Sequence, residues 1–213
     1  MHHLVVSLAL AAFPGLAQQP QPADVAPIAI YTQFQHDAPE AVRDAVRDAV
    51  EEIMSPSGLE FQWRELQQSG GNQVSVELAV VSFKGQCHTS GPQPAHSGSG
   101  ALGWTHMSDG VILPFADVDC DRIHNFLHRD LAAIPADSRD EVFGRAVGRV
   151  LAHELYHIFA NTAKHQSCGV GKSAYTVQEL LSEDFRFEGH EPDALRANRP
   201  RPATMTESAG PAN

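Results

Sequence analysis

The chain has 213 residues, of which 42% are hydrophobic and 19% charged, so it is long enough for one domain with a buried core. Its formal net charge is −11, and a chain this acidic is a poor partner for the phosphate backbone of nucleic acids. Beyond residue 17 no apolar stretch is long enough to span a bilayer, so we expect no stable membrane insertion.

The N-terminus has the composition of an export signal. Residues 4–13 form a short apolar run, and Gly15 and Ala17 place small residues where a signal peptidase requires them. We therefore predict a signal peptide over residues 1–17 and a secreted or periplasmic protein. The Pro- and Gln-rich residues 18–26 are expected to form a mobile leader.

From residue 27 onward, strand-like and helix-like segments follow one another. Alternating or continuous apolar runs predict five strands, at residues 28–31, 59–66, 74–83, 101–107 and 110–115. Apolar residues at helical spacing predict four helices, at residues 37–54, 121–134, 138–161 and 176–187. This order indicates an α/β (α+β) fold with a mixed, mainly parallel twisted sheet backed by helices, in one domain over residues 27–187. Residues 188–213 are rich in Pro, Arg and Ala and are expected to be disordered.

The helix predicted at residues 138–161 contains a His-Glu-x-x-His motif, with histidines at His153 and His157. Residues four apart project from one face of a helix, so the two imidazoles can take two corners of a tetrahedral zinc site. Glu154 lies beside them, where its carboxylate can act as a general base without ligating the metal. The motif therefore predicts the active-site helix of a zinc hydrolase.

The same motif would also fit a buried helix in which two histidines are stacked by chance. Ser138 and Glu141 have the spacing of a capping box at the helix start. The apolar residues after it recur at helical spacing: Val142, Val147, Val150, Leu151, Leu155, Ile158 and Phe159. This regular context favours a metal-binding pair over a coincidence.

A hydrolytic zinc site needs a third protein ligand and an open position for water. His165 follows His157 by eight residues, a length of chain that spans more than a zinc site if the loop turns back. A carboxylate on the last predicted helix, Glu179 or Glu183, is the alternative. We predict His153, His157 and His165 as the metal ligands, with one Zn²⁺ per chain.

The motif, the histidine that follows it, the Gly-containing turn at residues 168–172 and the final helix together resemble the metzincin clan of zinc metallopeptidases. The order of strands and helices upstream is similar to the N-terminal subdomain of that clan. This chain has Ala163 where the clan has its third histidine, and it has no methionine in the turn. The resemblance implies a zinc-dependent endopeptidase acting on peptide or protein substrates, whereas Glu179 or Glu183 as ligand would match the gluzincin pattern. A non-catalytic zinc-binding module on the same fold is the rival function.

Three further predictions concern residues around this site. Lys172 and Tyr175 lie close enough along the chain to be candidates for stabilising a developing oxyanion. Three cysteines follow residue 17, which allows one disulfide in three possible pairings and one free thiol. The pairing of Cys87 with Cys120 is favoured because both residues come at the ends of predicted strands, and it would leave Cys168 free.

Two other patterns are weaker. Residues 169–173 (Gly-Val-Gly-Lys-Ser) resemble the end of a phosphate-binding loop, but they follow a helix instead of a strand and lack the first glycine. His124 and His128 repeat the four-residue spacing, with Asn125 where the catalytic glutamate would stand. A solvated helix face explains them better than a second metal site.

Overall fold

The computed structural model describes residues 27–68, 75–91 and 100–198. The predictions of a signal peptide and a mobile leader fall on residues outside these ranges, as does the last part of the C-terminal tail. Within the described ranges no helix is both long enough and apolar enough to cross a membrane.

The centre of the molecule is a five-stranded sheet with the order β2-β1-β3-β5-β4. Neighbouring strands are parallel except for β4, an edge strand that runs antiparallel to β5. This mixed, mainly parallel sheet confirms the predicted α/β class. The strands are β1 (Ile28–Phe34), β2 (Phe61–Glu65), β3 (Leu78–Lys84), β4 (Gly103–Ser108) and β5 (Val111–Asp119).

In the part of the chain that the structure describes, five α-helices accompany the sheet: α1 (Glu40–Met54), α2 (Cys120–Ala133), α3 (Arg139–Phe159), α4 (Val177–Leu181) and α5 (Glu191–Ala197). Helices α1 and α3 share one apolar core with the inward face of β3, where Ala79 and Val81 are fully buried. The two helices approach closely because α3 presents glycines to α1. A Cβ on Gly144 would lie 2.6 Å from the carbonyl oxygen of Val42, so no larger residue fits there. This packing holds α3 rigidly against the sheet.

The predicted disulfide between Cys87 and Cys120 is present, with a Cα–Cα distance of 5.0 Å. It joins the segment after β3 to the first residue of α2. Cys168 is a free, exposed cysteine, as expected.

The helix predicted at residues 176–187 is shorter than expected, because α4 ends at Leu181. The buried guanidinium of Arg149 donates hydrogen bonds to the carbonyl oxygens of Glu179 and Leu180, which a longer helix would need as its own acceptors. At the other end, Thr176 and Glu179 form a capping box. A side-chain contact from α3 therefore sets the length of α4.

The prediction of disorder from residue 188 was wrong for residues 188–198, which include α5. Leu195 of this helix is fully buried, and Glu191 is 1% exposed. The amide of Asn198 also donates a hydrogen bond to the carbonyl oxygen of Phe159 at the end of α3 (2.8 Å). These contacts order a segment whose composition predicted disorder.

The predicted capping box at Ser138 is also absent, since that side chain makes no capping hydrogen bond to α3. The N-terminus of α3 is held instead from outside the helix. The carboxylate of Asp140 accepts hydrogen bonds from the amide and hydroxyl of Thr89. The sequence pattern thus located the helix start correctly but identified the wrong stabilising contact.

Candidate metal centre

The two motif histidines lie on one face of α3, as their spacing predicts. Each is 7% exposed, and their ring centroids are 4.6 Å apart. The Nε2 atoms of His153 and His157 face each other at 3.0 Å. Around a tetrahedral zinc ion with Zn–N distances of about 2.0–2.1 Å, ligand nitrogens lie roughly 3.3 Å apart. The pair therefore has the separation that two ligands of one ion require.

His165 completes the group, because one ligand atom from each of the three histidines lies within 4.8 Å of the others. The chain returns to the site because Asn161 adopts a left-handed conformation (φ 47°) directly after α3, which reverses its direction. The ring centroid of His165 is 5.3 Å from that of His153 and 5.0 Å from that of His157. Across residues 27–68, 75–91 and 100–198, no other group of His, Cys, Asp or Glu converges in this way.

Backbone carbonyl groups fix the orientation of the two helical imidazoles. His153 Nδ1 donates to the carbonyl oxygen of Val170 (2.7 Å), and His157 Nδ1 donates to that of Thr162 (2.6 Å). A carbonyl oxygen only accepts, so Nδ1 carries the hydrogen and Nε2 keeps a free lone pair. Both Nε2 lone pairs point into the same small space, where they repel one another unless a cation lies between them. This donor set fits a zinc ion.

Burial keeps both imidazoles uncharged at neutral pH. Loss of solvent lowers the pKa of His153 to about 4, with the nearby His157 and His165 acting in the same direction against the hydrogen bond to Val170. Burial likewise lowers the pKa of His157. Neutral imidazole is the form that binds a metal, so these two histidines can bind one without first losing protons.

Glu154 lies beside the histidines, with 4% of its surface exposed. Burial raises the pKa of its carboxyl group to about 7, although hydrogen bonds from Thr105 act in the opposite direction. The Thr105 hydroxyl on β4 is 2.9 Å from Glu154 Oε2 and 3.0 Å from the Glu154 carbonyl oxygen. A Cβ on Gly103 would lie 3.1 Å from Glu154 Oε1, so β4 leaves space for the carboxyl group on one side and holds it on the other.

The three histidines and Glu154 line a pocket of about 480 Å³. One wall is edge strand β4, and another is the segment at residues 172–175. Most of the remaining surface is apolar, and it includes the partly exposed side chains of Met107 and Phe126. Other apolar residues that line the pocket are Leu102, Ile112, Val150 and Ala174. The polar chemistry is thus concentrated at one point of a largely apolar pocket.

The two candidates for oxyanion stabilisation have other partners. Tyr175 Oη is 2.9 Å from His153 Nδ1, and the Tyr175 hydroxyl donates a hydrogen bond to the carbonyl oxygen of Val170. The hydroxyl therefore lies on the Nδ1 side of the His153 ring, away from Nε2. Lys172 Nζ pairs with the carboxylate of Glu179. Both residues line the pocket, but neither presents an unpaired donor to the space in front of the Nε2 atoms.

The alternative third ligands do not reach the histidines. The Glu179 carboxylate accepts hydrogen bonds from Lys172 and from the amide of Thr176. These contacts, of which the one with Lys172 has the largest effect, hold the pKa of Glu179 well below its ordinary value. Neither it nor the exposed Glu183 belongs to the converging group. Of the ligands considered from the sequence, the structure brings together His153, His157 and His165.

The weaker sequence patterns have structural explanations. His128 Nδ1 lies 2.8 Å from the carbonyl oxygen of Asn125 within α2, and neither it nor His124 belongs to a converging group in the described ranges. The glycines at residues 169 and 171 make room for the carboxylate of Glu191, which accepts a hydrogen bond from the Gly171 amide. A protein carboxylate thus takes the backbone donors that a phosphate would need.

Two residues that matter at this site were not found from the sequence. Thr105 resembles any polar residue of an edge strand, and Glu191 lies in a segment with the composition of a tail. Only the pairing of β4 with β5 and the docking of α5 reveal them. No signal in the sequence alone would have selected either residue.

No protein-family model matches the chain, and no curated protein matches it significantly.

Proposed function

We propose that the protein is a metzincin-like, zinc-dependent endopeptidase in which His153, His157 and His165 hold one zinc ion and Glu154 is the general base. The observation that carries this proposal is the convergence of three imidazole nitrogens within 4.8 Å, with the buried Glu154 next to two of them on α3. The predicted signal peptide over residues 1–17 adds that the enzyme is secreted or periplasmic.

Three neutral imidazoles leave the full charge of a zinc ion available to the reaction and leave one coordination position open. When bound, zinc would supply Lewis-acid polarisation of a carbonyl group and would acidify a water molecule. The hydrogen bonds from His153 to Val170 and from His157 to Thr162 support this role, because they set both rings before a metal arrives.

Glu154 has the environment of a group that moves protons. Burial raises its pKa to about 7, so the carboxyl group is near the midpoint of its titration at neutral pH. In the proposed reaction, its carboxylate takes a proton from the attacking water and then gives that proton to the leaving amine nitrogen. Thr105 holds the carboxyl group towards the pocket while this exchange takes place.

The pocket suits a peptide in an extended conformation. Gly103, Trp104 and Thr105 of edge strand β4 line it, and no other strand of the described residues pairs with the outer edge of β4. The free amide and carbonyl groups of an edge strand are natural partners for an extended backbone. The apolar walls favour substrates with apolar side chains close to the bond that is cleaved.

The test combines metal analysis with a cleavage assay. We expect the purified chain to contain one zinc ion and to cleave an unstructured protein substrate, and we expect a chelator to stop the cleavage and zinc to restore it. Zinc bound at full occupancy without cleavage of any unstructured substrate would favour the non-catalytic zinc module. Absence of zinc binding would refute the metal site.

A pair of variants identifies the third ligand. We expect His165→Ala to lose zinc, whereas Glu179→Gln keeps it, because Glu179 is occupied by Lys172. The opposite result would assign the site to the gluzincin pattern.

A further inference from the structure

Glu191 is a buried carboxyl group that the proposed reaction does not use. It lies at the start of α5 with 1% of its surface exposed, and no arginine or lysine among the residues that the structure describes forms an ion pair with it. Its partners are backbone amides instead. Glu191 Oε1 accepts from the amide of Gly171, Oε2 accepts from the amide of Glu188 (2.7 Å), and Val170 contributes a further backbone hydrogen bond.

The turn at Gly169–Gly171 is shaped around this carboxylate. A Cβ on Gly169 would overlap Glu191 Oε2, and a Cβ on Gly171 would overlap Oε1. Gly169 also has a positive φ of 70°, a conformation that residues with a side chain rarely adopt. The two glycines thus allow the backbone to approach the carboxylate from both sides.

This same turn carries the group that orients a predicted metal ligand. The carbonyl oxygen of Val170, between the two glycines, accepts the hydrogen bond from His153 Nδ1. The carbonyl oxygen of Gly171 accepts from the amide of Gln166, the residue after His165. One short segment therefore connects Glu191 to His153 and to the residue next to His165.

We propose that Glu191 is a positioning residue for the metal centre, which holds the Gly169–Gly171 turn in place and so fixes the orientation of His153. This inference rests on the proposed metal site. Helix α5 provides a firm base, because Leu195 is fully buried and Asn198 is bonded to the end of α3. Helix α5 then supports the metal centre through this turn, although none of its residues lines the pocket.

Glu191→Gln tests the proposal with almost no change of shape. The amide group of glutamine replaces one acceptor oxygen with a donor, which would then face a backbone N–H. Asp193→Asn is the matched control, because it makes the same change of charge on the same helix at an exposed residue, which pairs with Arg196 on the surface. Both variants are made in the full chain.

The first readout is the zinc dissociation constant, measured by competition with a chelator of known affinity. We expect Glu191→Gln to weaken zinc binding about 10-fold, the lower end of the range for losing an outer partner of a metal-ligating histidine, because the Val170 carbonyl that contacts His153 is displaced and not removed. Asp193→Asn should stay within about twofold of the wild type, as for an exposed pair. Equal zinc affinity for wild type and a folded Glu191→Gln would overturn the proposal.

The second readout is amide hydrogen exchange at residues 166–172 in the zinc-free protein. We expect faster exchange in Glu191→Gln than in Asp193→Asn, because the turn has lost an acceptor. If the wild type binds no zinc, the proposed function fails. In that case, faster exchange in Glu191→Gln than in Asp193→Asn would still support Glu191 as the group that holds the turn. Equal exchange in the two variants would refute that role.

Gly171→Ala disrupts the same contact from the side of the turn, and it is the second test variant if Glu191→Gln does not fold. Gly171 has no positive φ, so alanine brings no backbone strain, and its Cβ would displace the carboxylate. We expect the same loss of zinc affinity. Wild-type zinc affinity in a folded Gly171→Ala would count against the proposal.

Discussion

The candidate site has two halves that are built differently. His153, Glu154 and His157 lie on α3, where each is less than 10% exposed and the helix is packed against α1 and the sheet. His165 lies in an exposed segment without helix or strand, and the amide of the next residue, Gln166, donates a hydrogen bond to the carbonyl oxygen of Gly171 in the following turn (2.8 Å). The chemistry of the site is therefore concentrated on its rigid half, and its completeness depends on the loosely held one. Four predictions test this division.

The largest effect is expected on the rigid half. Glu154→Gln keeps the shape of the side chain and cannot take a proton, so we expect kcat to fall by a factor on the order of 10²–10⁴. Zinc content should stay at the wild-type level, since Glu154 is not a ligand. The measurement is kcat together with zinc content by elemental analysis. A variant that cleaves at the wild-type rate would remove Glu154 from the reaction.

Removal of zinc tests whether both halves of the site are needed to bind the metal, with thermal stability as the measurement. A ligand that binds only the folded state at 1,000 times its dissociation constant stabilises that state by about 4 kcal/mol. For a chain of this size, that corresponds to a fall in Tm of roughly 10 °C when a chelator is added. We expect His165→Ala and His157→Ala to show no such chelator-dependent shift. If zinc still stabilised His165→Ala as strongly as the wild type, the loop half would not belong to the site.

The pH dependence of stability tests the environment of Glu154 without any metal. Burial raises the pKa of Glu154 to about 7 in the folded protein, against an ordinary value of 4.5. The stability that the protonated group contributes is present below pH 4.5 and is lost as the pH rises through about 7. In the presence of a chelator, Glu154→Gln should therefore be more stable than the wild type by about 3 kcal/mol above pH 7.

That advantage should disappear below pH 4.5, where both side chains are neutral. Urea unfolding at pH 4 and pH 8 measures it. An equal difference at both pH values would mean that the Glu154 carboxyl group is not desolvated as the structure indicates.

The smallest effect concerns the support that β4 gives to the rigid half. Thr105→Val keeps the shape of the side chain and removes the hydrogen bond to Glu154 Oε2. A hydrogen bond to a charged group contributes about 1.5–3 kcal/mol, so we expect kcat to fall roughly 10- to 100-fold while zinc content is unchanged. The lost donor should also raise the pKa of Glu154 and move the acid limb of the pH–rate profile to higher pH. Thr105→Ser should have the kcat and the pH–rate profile of the wild type. Wild-type kinetics in Thr105→Val would show that this hydrogen bond does not contribute to catalysis.

Much of the fold and half of the site were readable from the sequence, because they depend on local rules. The spacing of His153 and His157 places them on one face of any helix, and the apolar period around them predicted that helix. The alternation of strands and helices likewise predicted the α/β class, which the sheet confirms. The prediction of His165 as a member of the group relied on chain length and resemblance, and the structure does bring it to the other two.

The features that the sequence did not predict share one cause. The end of α4 at Leu181 and the order of residues 188–198 depend on contacts with α3, which lies far away in the sequence. The same holds for Thr105, whose partner Glu154 is 49 residues distant. A sequence pattern contains no information about which distant residue will supply such a contact.

The sequence by itself determined that two imidazoles and a carboxylate project from one helix, since a helical repeat is a property of neighbouring residues. Tertiary structure alone decided that these groups are buried, that Val170 and Thr162 orient the rings, and that Glu191 supports the turn from α5. The physical reason is that burial and long-range hydrogen bonds arise only when remote segments pack together. That packing turns a pattern of residues into a site with defined charge and direction.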